Sequence, residues 1–181
     1  GPLASTPPSV TFTDRNPGDK YSAQSNLTRA FIRFKTPDFP FHLYAEERDF
    51  EREGTIQQMF LRGYTGNLDK VSQSRQIDWK TREVTVGVNS HLGVIEADYS
   101  HREKTFEAGG EKVQYETYTS PAMTVPHNLV PDLTSSSDTI KIHTSYTGRL
   151  VGSATYSAGD RKNKDSGAKA DYFFGQGEIV W

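Results

Sequence analysis

The 181-residue sequence contains no cysteine. Disulfides, thiolate metal sites and covalent haem attachment through a CxxCH motif are therefore excluded within this chain. No run of residues approaches the ~18 consecutive apolar positions of a membrane-spanning helix, which excludes a helical membrane protein. The formal net charge is only −2, and a nucleic-acid partner would need a clustered basic surface. We therefore expect no nucleic-acid partner.

Residues that could form a hydrophobic core are also scarce. Hydrophobic residues make up 34% of the chain, or about 42% with glycine included, whereas globular proteins average roughly 45–50% by that measure. Aromatic residues are plentiful at 12%. The arrangement of these few apolar side chains along the sequence is therefore more informative than their number.

Alternation of apolar and polar residues is clearest in REVTVGVNSHLGVIEADYSHRE, residues 82–103. This period of two predicts strands with one apolar face and one wet face. With a four-residue loop from Ser90 to Gly93, six apolar side chains share one face: Val84, Val86, Val88, Ile95, Ala97 and Tyr99. Glu96 and Asp98 fall on the other face. A register slip of one residue would scatter the apolar set, so this pairing is favoured.

Two further segments repeat this design. In residues 28–50 a turn at residues 37–40, with a proline at each end, places Ile32, Phe34 and Leu43 on one face. The opposite face of that hairpin then carries four polar side chains: Arg33, Lys35, Tyr44 and Glu46. In residues 139–159 a turn near Thr147 places five side chains together: Ile140, Ile142, Leu150, Ala154 and Tyr156.

The predicted fold is an all-β chain of about eight to ten antiparallel strands in up-and-down hairpins. Residues 55–64 and 170–181 are predicted as further strands, and polar connections are predicted over 64–81, 104–137 and 159–169. Short turns on one rim and long polar loops on the other are typical of a transmembrane barrel. A barrel or part of a barrel is therefore predicted, with a soluble β-sandwich as the alternative. Residues 1–9 are predicted to be a tag scar and flexible segment, followed by a single all-β domain over 10–181.

Chemical motifs are weak in this sequence. Glu96 and Asp98 share a strand face, and retaining glycosidases use two carboxyl groups about 5 Å apart, but no sugar platform accompanies this pair. The five histidines are scattered without metal-ligand spacing. We predict no catalytic residue, no cofactor-binding residue and no metal site.

Two stretches resemble a known family. VTVGVNSHLGVIEADYSHR and the later VPHNLVPDLTSSSDTIKIHTSYTGRLVGSATYSAGDRKN are similar to the decahaem-associated outer-membrane β-barrel proteins of the MtrB/PioB type. The resemblance implies a non-enzymatic, porin-like barrel in the bacterial cell outer membrane that sheathes a multihaem c-type cytochrome for extracellular electron transfer. It implies no cofactor in the chain itself. The family's barrels are much longer chains, so this chain would be a fragment or a small relative.

The barrel interpretation assigns an environment to each face. The residues predicted to face membrane lipid are Ile32, Phe34, Leu43, Val84, Val86, Val88, Ile95, Ala97 and Tyr99. The residues predicted to face the lumen are Arg33, Lys35, Tyr44, Glu46, Glu96 and Asp98. The alternative function is a soluble extracellular all-β module that binds carbohydrate or protein through its long loops. A glycoside-active enzyme is a third hypothesis.

Overall fold

A computed structural model describes residues 9–64, 67–119, 121–146 and 150–180, and these residues form ten β-strands and no helix. Among them there is accordingly no helix long and apolar enough to cross a membrane. The strands are β1 (Val10–Asp14), β2 (Ser22–Lys35), β3 (Phe41–Tyr64), β4 (Asn67–Leu92), β5 (Ile95–Gly110), β6 (Gln114–Thr119), β7 (Ala122–His127), β8 (Leu133–Tyr146), β9 (Leu150–Asn163) and β10 (Lys169–Val180).

Seven of these strands lie side by side in the order β2-β3-β4-β5-β8-β9-β10. Chain order is kept except that the β6–β7 hairpin, a separate two-stranded sheet, is inserted between β5 and β8. The short β1 pairs in parallel with the first part of β4. The prediction of an all-β, antiparallel, up-and-down fold is therefore confirmed.

The turn between β4 and β5 is tighter than predicted. Gly93 and Val94 form the turn, and Ser90 belongs to the strand, so the predicted four-residue loop is wrong. Gly93 adopts a φ of 63°, a left-handed conformation that glycine tolerates, which lets the strands run on to the turn. The turn moves by an even number of residues along the two strands, so each side chain keeps its predicted face.

The other two hairpins follow the sequence pattern. Between β2 and β3 the Phe39 amide donates to the Thr36 carbonyl oxygen, 3.3 Å away, so this turn contains Pro37, and Pro40 follows it. The predicted turn residue Thr147 lies outside the described residues. On its flanks Ile140 pairs with Tyr156 and Ile142 with Ala154, as the alternation requires.

The predicted long polar loops are wrong. Most of 64–81 belongs to β4, 104–137 contains the end of β5, the β6–β7 hairpin and the start of β8, and 159–163 ends β9. Several buried positions in the first part of β4 are polar, among them Ser72 and Arg75, so this stretch lacks an apolar alternation and resembles a loop in sequence. Pro126, within the predicted connection 104–137, lies in β7 opposite Tyr115, in a two-stranded sheet where an edge proline is tolerated.

The described chain divides into two compact units. The first holds residues up to 25 together with 52–79 and 108–130. Its buried hydrophobic residues are Val71, Ile77 and Ala108. The predicted scar lies largely outside the described residues, and the single domain over 10–181 stays a prediction.

The second unit holds residues 26–51, 80–107 and 131 onward. No described residue of this unit is a buried hydrophobic; the buried side chains here are the polar His42 and Ser90. Hydrophobic burial within a sheet's own fold is the usual source of its stability. The described residues of this unit therefore form no buried hydrophobic core of their own.

Gly54 of the first unit occupies a position that only glycine fits. Its φ is +135°, and a Cβ there would lie 2.2 Å from the Ser22 carbonyl oxygen. We expect Gly54→Ala to lower the free energy of unfolding by at least about 2 kcal/mol, from backbone strain and overpacking. Gly63→Ala in the same strand is the control, since a Cβ at Gly63 meets nothing within 4 Å. Urea unfolding measures both, and equal losses would contradict the role assigned to Gly54.

Candidate functional site

Side-chain contacts in the second unit define a polar face. The Tyr44 hydroxyl donates to both carboxylate oxygens of Asp98, 3.2 Å away. Its ring crosses Gly87, where a Cβ would lie only 2.3 Å from the Tyr44 ring. The Phe31 and Tyr44 rings are 6.4 Å apart, and Arg29 Nε donates to Glu46 at 2.7 Å. These contacts place alternate residues of β2, β3, β4 and β5 on one side, which we call the polar face.

The opposite side of the same strands is the apolar face. Arg82 forms an ion pair with Glu47 there, which joins β3 and β4. The register extends this face across β5, β8, β9 and β10, since Tyr99, Ile140, Tyr156 and Gly175 form one continuous row. The next row consists of Ala97, Ile142, Ala154 and Gly177.

The structure groups the residues as the sequence pattern did. All nine residues predicted to face lipid lie on the apolar face: Ile32, Phe34, Leu43, Val84, Val86, Val88, Ile95, Ala97 and Tyr99. All six residues predicted to face the lumen lie on the polar face: Arg33, Lys35, Tyr44, Glu46, Glu96 and Asp98. The environment of each face stays a prediction.

The apolar face is uncovered in the described chain. Ile32 is 69% exposed, Phe34 63%, Leu43 56%, Phe173 81% and Ile179 74%. Soluble monomers rarely expose contiguous apolar patches beyond a few hundred Å². This face therefore exposes more apolar side chains than a soluble monomer usually does.

The apolar face has a sharp boundary. On β9 the side chains change from Tyr156 and Ala158 to Asp160 and Lys162 along the same face. Equivalent changes occur on the neighbouring strands, from Phe173 to Asp171 and Lys169, from Val84 to Arg82, and from Ala45 to Glu47 and Asp49. Residues 84–92 of the band extend about 30 Å at ~3.4 Å per residue.

A polar contact marks this boundary between β5 and β8. The Tyr99 hydroxyl donates to Asp138 Oδ1 at 2.6 Å, and His101 Nδ1 lies 2.9 Å from the same oxygen. The sequence analysis missed Asp138 and His101. The apolar alternation of β5 ends at Tyr99, and this end could have indicated the boundary from the sequence.

The polar face is crossed by ion pairs. Glu46 accepts from both Arg29 and Arg48, and Glu83 lies 4.0 Å from Arg48 and 3.9 Å from Arg102. Such pairs satisfy the charges on a wet surface and add little stability individually.

The carboxylates considered as a catalytic pair, Glu96 and Asp98, each contact a different side chain. Glu96 lies 3.2 Å from His91 Nδ1, whereas Asp98 accepts from Tyr44. The rings of His42 and His91 are 5.3 Å apart, a proximity that the sequence analysis missed because the hairpins that carry them are distant along the chain. Among the described residues no group of three or more His, Cys, Asp or Glu side chains is placed to hold a metal ion.

The first unit contains a buried ionic network. Glu116 is 3% exposed and accepts from Arg15 and from Arg62, the latter at 3.2 Å. Arg62 also donates to Asp69 at 2.6 Å. A hydrogen bond from the Thr11 hydroxyl, together with Arg62, lowers the pKa of Asp69. This network joins β1, β3, β4 and β6, and the sequence analysis did not find it.

His127 of the same unit makes folding sensitive to pH. Its ring lies 4.0 Å from that of Phe60, and burial, partly opposed by Glu116, lowers its pKa. The folded state therefore binds this proton less readily than the unfolded chain, and stability falls as pH drops below about 6.5.

We expect this acid sensitivity to disappear in the His127→Phe variant. Between pH 7 and pH 5 the parent should lose more unfolding free energy than the variant does. Urea unfolding at both pH values measures it. The depressed pKa of Asp69 contributes at lower pH, where its stabilisation is lost as pH falls from about 3.9 through the folded value. A parent–variant difference that stays constant between pH 7 and 5 would refute the role of His127.

Comparisons with known proteins identify no relative: no family model, no curated protein and no solved structure matches this chain.

Proposed function

We propose that this chain forms part of an outer-membrane β-barrel, with the apolar face against lipid and the polar face towards the lumen. The observation that carries the proposal is the bounded apolar band, which crosses seven strands while the second unit buries no hydrophobic residue among those described. A bilayer supplies the missing apolar surroundings. The charged rows beyond the band then lie at the level of headgroups and water.

Strand direction supports part of a larger barrel. Up-and-down order makes β2 and β10, the first and seventh strands of the row, run in the same direction. Among the described residues each of these two strands pairs with one neighbour. Closure through antiparallel pairs alone requires an even number of strands, so the proposed barrel includes an odd number of further strands.

The finer proposal is that the barrel sheathes a multihaem c-type cytochrome and does no redox chemistry itself. Two observations support it: the resemblance described above, and the charged, hydrogen-bonding polar face. In this proposal the haems belong to the partner, because the chain has no cysteine for their covalent attachment. The chain insulates them from lipid.

Detergent dependence tests the membrane proposal. The purified chain should be monodisperse in detergent and should aggregate when detergent is removed, because the exposed apolar band then meets water. Size-exclusion chromatography with light scattering measures this. A monodisperse species without detergent would refute the lipid-facing assignment and favour the soluble binding module.

A separate measurement tests the partner. The chain should show no Soret absorption alone and should acquire it in stoichiometric amounts only in complex with a c-type cytochrome. Stoichiometric haem on the isolated chain would refute the sheath proposal.

A further inference from the structure

Two cations flank a small residue on the polar face. Lys104 of β5 pairs with Ser135 of β8, and Ser135 pairs with Arg161 of β9. Adjacent strands lie about 4.8 Å apart, so the Cα atoms of the two cations are about 10 Å apart. Both side chains lie on the same face of the sheet as Ser135, which is too short to fill the space between them.

The neighbouring rows complete a cavity. In one row Arg102, Ser137, Gly159 and Tyr172 are paired in turn. The Tyr172 hydroxyl lies over Gly159, where a Cβ would be only 2.7 Å from it.

The row on the other side of the cations supplies apolar walls, because Phe106 pairs with Leu133. The cavity has a volume of about 600 Å³, and Lys104, Phe106, Leu133, Arg161 and Tyr172 are among its lining residues. It therefore combines cationic groups with flat apolar walls.

The two central cations are available for a ligand. Among the residues that the structure describes, neither Lys104 nor Arg161 forms an ion pair, and Arg102 has only Glu83 at 3.9 Å. Of the nearby acidic side chains, Glu103 and Asp160 lie on the apolar face. Glu83 lies on the polar face, 4.0 Å from Arg48 and 3.9 Å from Arg102, so it is outnumbered by the cations. The cavity is therefore positive on the side that a ligand would enter.

We propose that Arg102, Lys104 and Arg161 form an anion-binding subsite for a carboxylate or phosphate group attached to a flat apolar body. The anion lies over Ser135 between the cations, where charge-assisted hydrogen bonds are strongest. The flat body packs against Phe106 and Tyr172. The subsite goes beyond the proposed barrel function and does not depend on it, because every lining residue named here belongs to the second unit alone.

Binding of 2-naphthoate to the full-length chain tests the subsite, with 2-naphthylmethanol as the uncharged analogue and acetate as the carboxylate without rings. Fluorescence titration should show naphthoate binding at least about tenfold more tightly than either analogue. Arg161→Gln and Lys104→Gln should each weaken it by about tenfold, which corresponds to about 1.4 kcal/mol. Tyr172→Leu should weaken naphthoate but leave the binding of inorganic phosphate unchanged.

Lys141→Gln is the matched control. Lys141 lies on the same face but pairs with Asp98, away from the cavity, so its loss should leave naphthoate binding unchanged. Thermal unfolding should be the same for all variants, since the substituted cations are exposed. Equal weakening by Lys141→Gln would show general charge attraction and would overturn the subsite, as would a failure of naphthoate to bind.

A decaglutamate peptide distinguishes the source of the anion. If the natural ligand is the acidic surface of a protein, the peptide should bind more tightly than naphthoate and displace it. Arg161→Gln should abolish that displacement. If the ligand is a small molecule, naphthoate should bind more tightly than the peptide. Either ranking supports the subsite. Detergent dependence is measured separately, so failure of the barrel proposal leaves this result intact.

Discussion

Arg75→Met is expected to lower the free energy of unfolding by about 3–5 kcal/mol, because the three carbonyl groups that Arg75 binds lose their charged hydrogen-bond donor, at roughly 1–3 kcal/mol each. Arg75 is 1% exposed. Its guanidinium donates to the carbonyl oxygens of Glu111 at 2.7 and 2.9 Å, of Lys112 at 2.9 Å and of Asn128 at 2.8 Å. Burial lowers its pKa from an ordinary value far above neutral.

These bonds give the substitution a local readout. Residues 111–112 and 128 lie on either side of the β6–β7 hairpin, so Arg75 fastens both ends of the hairpin to β4. Amide hydrogen exchange over residues 114–127 should accelerate in Arg75→Met. Arg75→Lys should recover part of the loss, because one ammonium retains the charge but cannot reach three carbonyl groups in the planar geometry of arginine.

Arg82→Met is the control for this experiment. Arg82 is 62% exposed and pairs with Glu47 on the surface, so its loss should change stability by no more than about 0.5 kcal/mol. Urea unfolding compares the variants. An Arg75→Met loss no larger than that of Arg82→Met would refute the fastening role.

The two faces of the sheet could be predicted because the period of two is a local property. Val86 and Thr85 point to opposite sides wherever the turn falls, so an error in the length of the β4–β5 turn left the grouping intact. Phe173 and Ile179 were missed as members of the apolar face although they alternate correctly. Gly175 and Gly177 occupy the positions between them on that face and interrupt the apolar signal.

Long-range features could not be predicted in the same way. Arg75, Glu116 and Arg62 are ordinary charged residues in sequence, and only the fold brings each of them to its partners on segments distant in the chain. The polar first part of β4 was predicted as a loop because alternation reports burial on one face. In this stretch the buried positions include the polar Ser72 and Arg75, so burial left no apolar alternation in the sequence.

The environment of the apolar face can be determined by arginine substitution at different depths. Ile142 lies in the middle of the band, paired with Ala97 and Ala154. Ala158 lies at the boundary, paired with Asp138. His143 is adjacent to Ile142 but on the polar face, paired with Glu96. These three positions therefore sample the centre of the band, its edge and the opposite face.

If the apolar face contacts lipid, Ile142→Arg should cost about 2–4 kcal/mol and Ala158→Arg about 0–1 kcal/mol, because arginine is tolerated near the interface. His143→Arg should be neutral, since it places a cation opposite Glu96. Ile142→Ala should cost about 2 kcal/mol, since it removes three methylene equivalents at ~0.8 kcal/mol each and lipid tails fill the gap without a cavity. Urea unfolding of the four variants in lipid vesicles measures these costs.

Other environments give different patterns. A water-exposed face would leave all four variants within about 0.5 kcal/mol of the parent. A protein partner packed on the face would raise the cost of Ile142→Ala to about 2–5 kcal/mol through an unfilled cavity, and would make Ala158→Arg costly as well. Only lipid combines a large penalty for arginine at the centre of the band, a small one at its edge and a modest penalty for alanine. That combination is the result we expect.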